Sequence, residues 1–93
     1  MAKSKSAAKR ARQSEKRRIR NRAITSTTKT YLTRARALIT QGEATLATEA
    51  TIKAISALDR AVAKGVIHRN NAARRKSRLM KKLILLTAPS PAN

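Results

Sequence analysis

Side chains that could act on another molecule are, in this chain, almost all cationic. The 93 residues include 23 Lys and Arg against 4 Asp and Glu, which gives a net charge of +19 at pH 7. Eight of the cations fall within residues 9–23, KRARQSEKRRIRNRA, where Glu15 is the single acid. Because so many like charges oppose compaction unless a polyanion compensates them, the chemistry that this segment favours is the neutralisation of phosphate.

Groups suited to catalysis or metal binding are sparse. His68 has neither a Cys nor a second His to complete a metal site, so a loop or helix-capping role is the simpler interpretation. Glu43 and Glu49 offer too few carboxylates for acid–base catalysis, and the two glycines, 23 residues apart, cannot form a phosphate-cradling loop. We therefore predict that the protein is not an enzyme and needs no cofactor and no metal.

Two stretches with helical periodicity predict the first two helices of the chain. Together with a third helix, they must position these cations. In the first, apolar residues from Ile24 to Ile39 share one arc of a helix, and Gln41-Gly42 ends it with a residue suited to a left-handed C-terminal position. The second stretch begins near Glu43 or Thr45 and closes at Lys64-Gly65. Its inward positions are predicted at intervals of four residues: Leu46, Ala50, Ala54, Leu58 and Val62, with Ala47, Ile55 and Ala61 beside them.

A third stretch completes a helical fold. Its apolar arc is formed by Ala72, Ala73, Leu79, Met80, Leu83 and Ile84. Asn70 or Asn71 is the predicted N-cap, and Pro89 and Pro91 stop the helix. Short connections between three amphipathic helices predict an all-α, three-helix antiparallel bundle with a long first helix projecting from it.

Charge divides the chain by segment. Residues 1–22 carry a net charge of +9 and residues 66–93 carry +7, whereas residues 43–65 are neutral. The prediction is a basic N-terminal extension over residues 1–22 that becomes helical on RNA, a three-helix bundle over residues 23–88, and a flexible tail over residues 89–93. The middle helix is a neutral strut between two cationic segments.

The extension cannot pack into the bundle. Upstream of about residue 22, the positions that continue the apolar arc of the first helix are occupied mainly by basic residues. A helix over residues 6–40 would be about 50 Å long, with about half of it projecting. Cations surround this half on three sides: Lys9, Arg12, Lys16 and Arg20; Arg10 and Arg17; Arg18 and Arg22. A helix charged all round suits a crevice in folded RNA, and we expect it to be partly or wholly disordered until it binds there.

The third helix presents its charge on one side. Arg74, Arg75, Arg78, Lys81 and Lys82 cluster in about a third of the helical wheel, which is typical of a phosphate-binding surface. Lys76 falls in the apolar arc instead, and its position fits either a side chain extended from the bundle edge or one that reaches a second RNA strand. With Tyr31 as the single aromatic residue, recognition is expected to rest on phosphates, 2′-hydroxyl groups and RNA shape rather than on base stacking.

Two stretches, residues 9–23 and AVAKGVIHRNNAARRKSRL at 61–79, resemble the signature stretches of the ribosomal protein S-twenty family of the bacterial small subunit. The resemblance implies a three-helix bundle that binds small-subunit ribosomal RNA (rRNA) directly and early in assembly, with its long first helix among RNA helices. It departs at Glu43, where an Asp N-cap would be expected. The RNA-facing residues that it implies are Lys5, Lys9, Arg10, Arg12, Ser14, Lys16, Arg17, Arg18, His68, Arg69, Asn70, Arg74, Arg75, Lys76 and Arg78.

Two other functions remain open from the residues alone. A DNA-binding nucleoid protein without sequence preference would also need a high positive charge, but the all-round cationic helix and the lack of a dimerising surface weigh against it. A membrane-active peptide would need a broad apolar face, which residues 9–22 lack. We expect a cytoplasmic protein of the small ribosomal subunit, with rRNA as partner, few protein contacts, no membrane association and no homo-oligomer.

Overall fold

A computed structural model describes the backbone of residues 2–87 and the side chains of residues 5–87. It contains α1 (Ala2–Thr40), α2 (Ala44–Ala63) and α3 (Arg69–Thr87), with no strand among these residues. Successive helices run antiparallel, and the predicted fold class, a three-helix bundle with a long first helix projecting from it, is confirmed. The tail predicted over residues 89–93 lies outside the described residues.

Glycines end α1 and α2 as their positions predict. Gly42 has φ +78° and Gly65 has φ +73°, the left-handed region in which a side chain would be strained. At the first turn, the N–H of Gly42 donates to the C=O of Ile39 and the N–H of Glu43 donates to the C=O of Leu38, both at 3.1 Å. This pair of hydrogen bonds is a Schellman motif, and the same pattern recurs around Gly65.

The core is built from small residues on α2 and larger aliphatic residues on its neighbours. Alanines on α2 allow close approach of the other helices, while Leu32 of α1 and Leu79 of α3 fill the space beside Leu58. Each of these three leucines is at most 2% exposed. The remaining buried apolar residues are Ala35, Ala47, Ala50, Ala54, Ala57, Ala61, Ala72 and Leu83.

The predicted inward face of α2 is wrong at its start. Leu46 is 50% exposed, whereas Thr51, which the four-residue interval omits, is 1% exposed. A strict interval of four residues drifts by about 40° per step around a helix of 3.6 residues per turn. The buried residues instead alternate intervals of three and four, as Ala47, Ala50, Ala54 and Ala57 do.

The predicted apolar arc of α3 is only partly buried. Leu79 and Leu83 are inside, but Met80 is 38% exposed and Ile84 is 55% exposed. Each helix of a bundle with only three helices is covered on a narrow arc, so residues at the edge of that arc stay in contact with solvent.

The N-cap predicted for the third helix is also wrong. α3 begins at Arg69, so the preceding His68 is its cap rather than Asn70 or Asn71. The Nδ1 atom of His68 accepts a hydrogen bond from the backbone N–H of Asn70 at 3.1 Å, and its C=O accepts from the N–H of Ala72 at 3.1 Å. The interpretation of His68 as a capping residue is therefore confirmed, and an imidazole takes the place of the usual Ser, Thr, Asp or Asn. At α2, by contrast, Glu43 occupies the N-cap position without a side-chain hydrogen bond.

Candidate nucleic-acid interface

The N-terminal half of α1 projects from the bundle. Every described side chain from Lys5 to Arg20 is exposed, Asn21 is the first that is partly buried, and Thr28 is the first that is fully buried. The exposed cations of this half are Lys5, Lys9, Arg10, Arg12, Lys16, Arg17, Arg18, Arg20 and Arg22. They leave α1 surrounded by positive charge where it extends beyond α2 and α3.

The one acid in this half is paired. Arg18 donates two hydrogen bonds to the Glu15 carboxylate, from Nη2 to Oε1 at 2.6 Å and from Nε to Oε2 at 3.1 Å. The hydrogen bond to Glu15 raises the pKa of Arg18, against a smaller opposing effect of desolvation. Because both side chains are more than half exposed, the pair adds little to stability and mainly sets the orientation of one guanidinium.

The cations of α3 form a one-sided surface. Arg74, Arg75, Arg78, Lys81 and Lys82 are all exposed, while Ala72, Leu79 and Leu83 are buried on the opposite side of the helix. The Nε atom of Arg75 donates to Oδ1 of Asn71, one helical turn earlier, at 2.8 Å. A polar neighbour thus holds one guanidinium of this surface in place.

The start of α3 lies close to the point where α1 leaves the bundle. A groove between α1 and α2 is lined by Ala23 and Ile24 on one side and by Lys64 on the other, so the end of α2 lies beside the residues that directly follow the extension. The loop that follows leads to His68, Arg69 and Asn70, which are all exposed. The fold therefore brings the first residues of the second signature stretch near the base of the extension, while Arg78, Lys81 and Lys82 lie further along the bundle.

Lys76 makes a contact that neither of the two sequence interpretations includes. Its Nζ atom lies 2.8 Å from Oδ1 of Asp59 on α2, with the two side chains 36% and 56% exposed. The ion pair joins α2 to α3 at the edge of the core. A contact between Lys76 and RNA stays a prediction.

Arg36 is a cation that the sequence analysis missed. A groove of about 420 Å³ separates α1 from α3, and its lining consists of Arg36, Asn71, Arg74, Arg75, Arg78, Leu79 and Lys82. Arg36 follows the buried Ala35, so it lies just outside the apolar arc of α1. The spacing identifies it as a flanking residue, but only the packing reveals that α3 lies on that side.

The described residues hold neither a membrane span nor a metal site. No helix there is long and apolar enough to cross a membrane. No group of three or more His, Cys, Asp or Glu residues in that part of the chain is placed to hold a metal ion.

Comparison with known proteins gives a consistent result. A family described as "Ribosomal protein S20" matches residues 2–84. The chain is 54% identical over 82 residues to the small ribosomal subunit protein bS20 of Thermomicrobium roseum, covering 88% of this chain and 83% of that protein. It is 49% identical over 92 residues to the bS20 of a Roseiflexus species, covering 99% and 100% of the two chains. Identity to the bS20 of Saccharophagus degradans is 48% over 88 residues, covering 95% and 100%.

Proposed function

The chain belongs to the ribosomal protein S20 family, and from this premise we propose that it binds small-subunit rRNA directly and holds converging RNA helices together during assembly. As a member of that family it is a protein of the small ribosomal subunit in the cytoplasm. Its role is structural, because it lowers the repulsion between phosphates that must come close together.

The observation that carries the proposal is the exposed half of α1. Nine Lys and Arg between residues 5 and 22 surround a helix that has no apolar face and whose described side chains are all exposed up to Arg20. A flat polyanion needs cations on one side of a helix only, whereas a crevice between RNA helices offers phosphate on several sides. In the free protein we expect residues 1–22 to be partly or wholly disordered and to become helical on RNA.

The proposed contact residues fall into two groups, one on the extension and one on α3. The first combines phosphate-binding cations with one hydroxyl, and the second combines the exposed face of α3 with its first turn. The groups are Lys5, Lys9, Arg10, Arg12, Ser14, Lys16, Arg17, Arg18, Arg20 and Arg22, and His68, Arg69, Asn70, Arg74, Arg75, Lys76, Arg78, Lys81 and Lys82. We further propose that the protein works as a monomer, with few protein contacts and no catalytic activity.

Competition binding at about 200 mM salt tests the proposal, because non-specific association is weak at that ionic strength. The labelled ligand is folded small-subunit rRNA, and the competitor is an excess of mixed-sequence duplex DNA. We expect the protein to stay on the rRNA and to protect discrete sites from chemical probing. Equal loss to DNA would instead favour a nucleoid protein that binds through charge alone.

A full-length variant tests the contribution of charge on the extension to rRNA binding while its helical structure is kept. Replacing Lys9, Arg12, Lys16 and Arg20 by Gln removes one stripe of the extension but preserves its helix propensity. We expect this variant to lose protection at some sites and to keep protection at the sites that α3 contacts. Uniform weakening at every site would argue against separate RNA contacts for the two groups.

A further inference from the structure

The groove between α1 and α3 combines cations from two helices that are distant in sequence. Arg36 lies on α1, while Arg74, Arg75, Arg78 and Lys82 lie on α3, and no acid is among the lining residues. Asn71 also lines the groove, and its Oδ1 accepts a hydrogen bond from Nε of Arg75. The groove thus holds concentrated positive charge that no described carboxylate of its lining neutralises.

We expect this arrangement to lower the stability of the free protein. Like charges that face one another across a groove repel, and the repulsion acts between the two helices rather than within one. Arginine guanidinium groups present planar forks of donors that match phosphate oxygens, which makes the groove better suited to a phosphate than to a single point charge. Its volume of about 420 Å³ leaves room for a sugar–phosphate segment.

We propose that this groove holds the phosphodiester backbone of one RNA strand, and that Arg36 supplies the contact from α1. The inference deepens the proposed function and rests on it. A strand in the groove joins α1 to α3 through its phosphates, so that RNA binding and the packing of α3 become coupled. The groove lies on the bundle itself, and its strand is separate from the RNA that surrounds the extension.

The test compares Arg36→Gln with Arg34→Gln. Both substitutions remove one positive charge from the same helix and keep a good helix former. Arg34 is the control because it lies in a different, shallow groove with Thr30 and Thr33, away from α3. Each full-length variant is melted without RNA at about 50 mM salt and titrated with folded small-subunit rRNA over a range of salt concentrations.

Arg36→Gln should act in opposite directions in the two measurements. Its melting temperature without RNA should rise, because repulsion in the groove falls, while its affinity for rRNA should fall about tenfold. The slope of log K against log salt should decrease in size by about one, as expected when one phosphate contact is lost. Arg34→Gln should leave the affinity and the slope unchanged.

A double-mutant cycle identifies the groove as one site. Arg36→Gln combined with Arg78→Gln should show a coupling in rRNA affinity of more than about threefold, whereas Arg34→Gln combined with Arg78→Gln should be additive. Equal effects of Arg36→Gln and Arg34→Gln, or additivity in both cycles, would overturn the groove proposal while leaving rRNA binding intact. Failure of the unmodified protein to select rRNA over DNA would instead overturn the proposed function.

Discussion

Removal of residues 1–22 should separate RNA binding from the stability of the bundle. Among the described residues of this segment, Asn21 alone is partly buried and the others are exposed, so the deletion removes no buried apolar side chain. We expect the free energy of unfolding to change by about 0.5 kcal/mol at most, the usual range for surface changes. At low salt the melting temperature should rise, because the deletion also removes a net charge of +9.

The loss of RNA affinity can be estimated from the exposed cations. The described part of the extension holds nine Lys and Arg, and each phosphate contact contributes about 0.9 to the slope of log K against log salt. If about half of the nine make contact, the slope should decrease in size by about four. The full chain, with six to ten phosphate contacts, should lose about 10³- to 10⁵-fold in affinity between 50 and 200 mM salt. The loss of affinity of the truncated chain over the same range should be smaller by a factor of about 10².

Two assays are needed, namely thermal unfolding followed by circular dichroism and filter binding to folded rRNA at several salt concentrations. The full-length variant with Lys9, Arg12, Lys16 and Arg20 replaced by Gln serves as the control for chain length. Non-cooperative unfolding of the truncated chain would refute the division at residue 22. Equal salt slopes for the full and truncated chains would refute the electrostatic role of the extension.

Two further predictions concern single residues of the bundle. Thr51→Val should stabilise the protein by about 1 kcal/mol in thermal unfolding, because the buried Oγ1 of Thr51 has no hydrogen-bond partner; a loss of stability would show that the hydroxyl is satisfied in solution. His68→Ala should destabilise α3 by about 0.5–2 kcal/mol while His68→Asn, which can still cap the helix, should not. Equal loss of rRNA affinity in both His68 variants, at unchanged stability, would mean that the imidazole itself contacts RNA.

The sequence was sufficient for features that depend on a few adjacent residues. Gly42 and Gly65 end their helices because a left-handed conformation is a local property of glycine. The division between an exposed cationic half of α1 and an apolar half was likewise visible, because periodicity places Ile24 and Leu32 on one arc. Both features follow from the helical repeat and require no knowledge of the neighbours.

Features that depend on which side a neighbouring helix packs were not predictable. The groove position of Arg36 depends on α3, which packs on that side of α1. The ion pair between Lys76 and Asp59 likewise depends on how α2 and α3 pack against each other. The burial of Thr51 was missed because a strict interval of four residues drifts away from the inward face of a helix with 3.6 residues per turn. The sequence indicated a capping role for His68 but predicted Asn70 or Asn71 as the N-cap of the third helix, because an imidazole seldom takes a position that Asn usually fills.

The two short turns at Gly42 and Gly65 have a consequence for the timing of folding. Each turn reverses the chain within a few residues, so α1 meets α2, and α2 meets α3, without closure of a long loop. Chains dominated by such local contacts fold in about microseconds to milliseconds. Synthesis at about 5–20 residues per second is far slower than that. We therefore expect the bundle to form soon after α3 is synthesised, so that folding does not delay the proposed binding to rRNA.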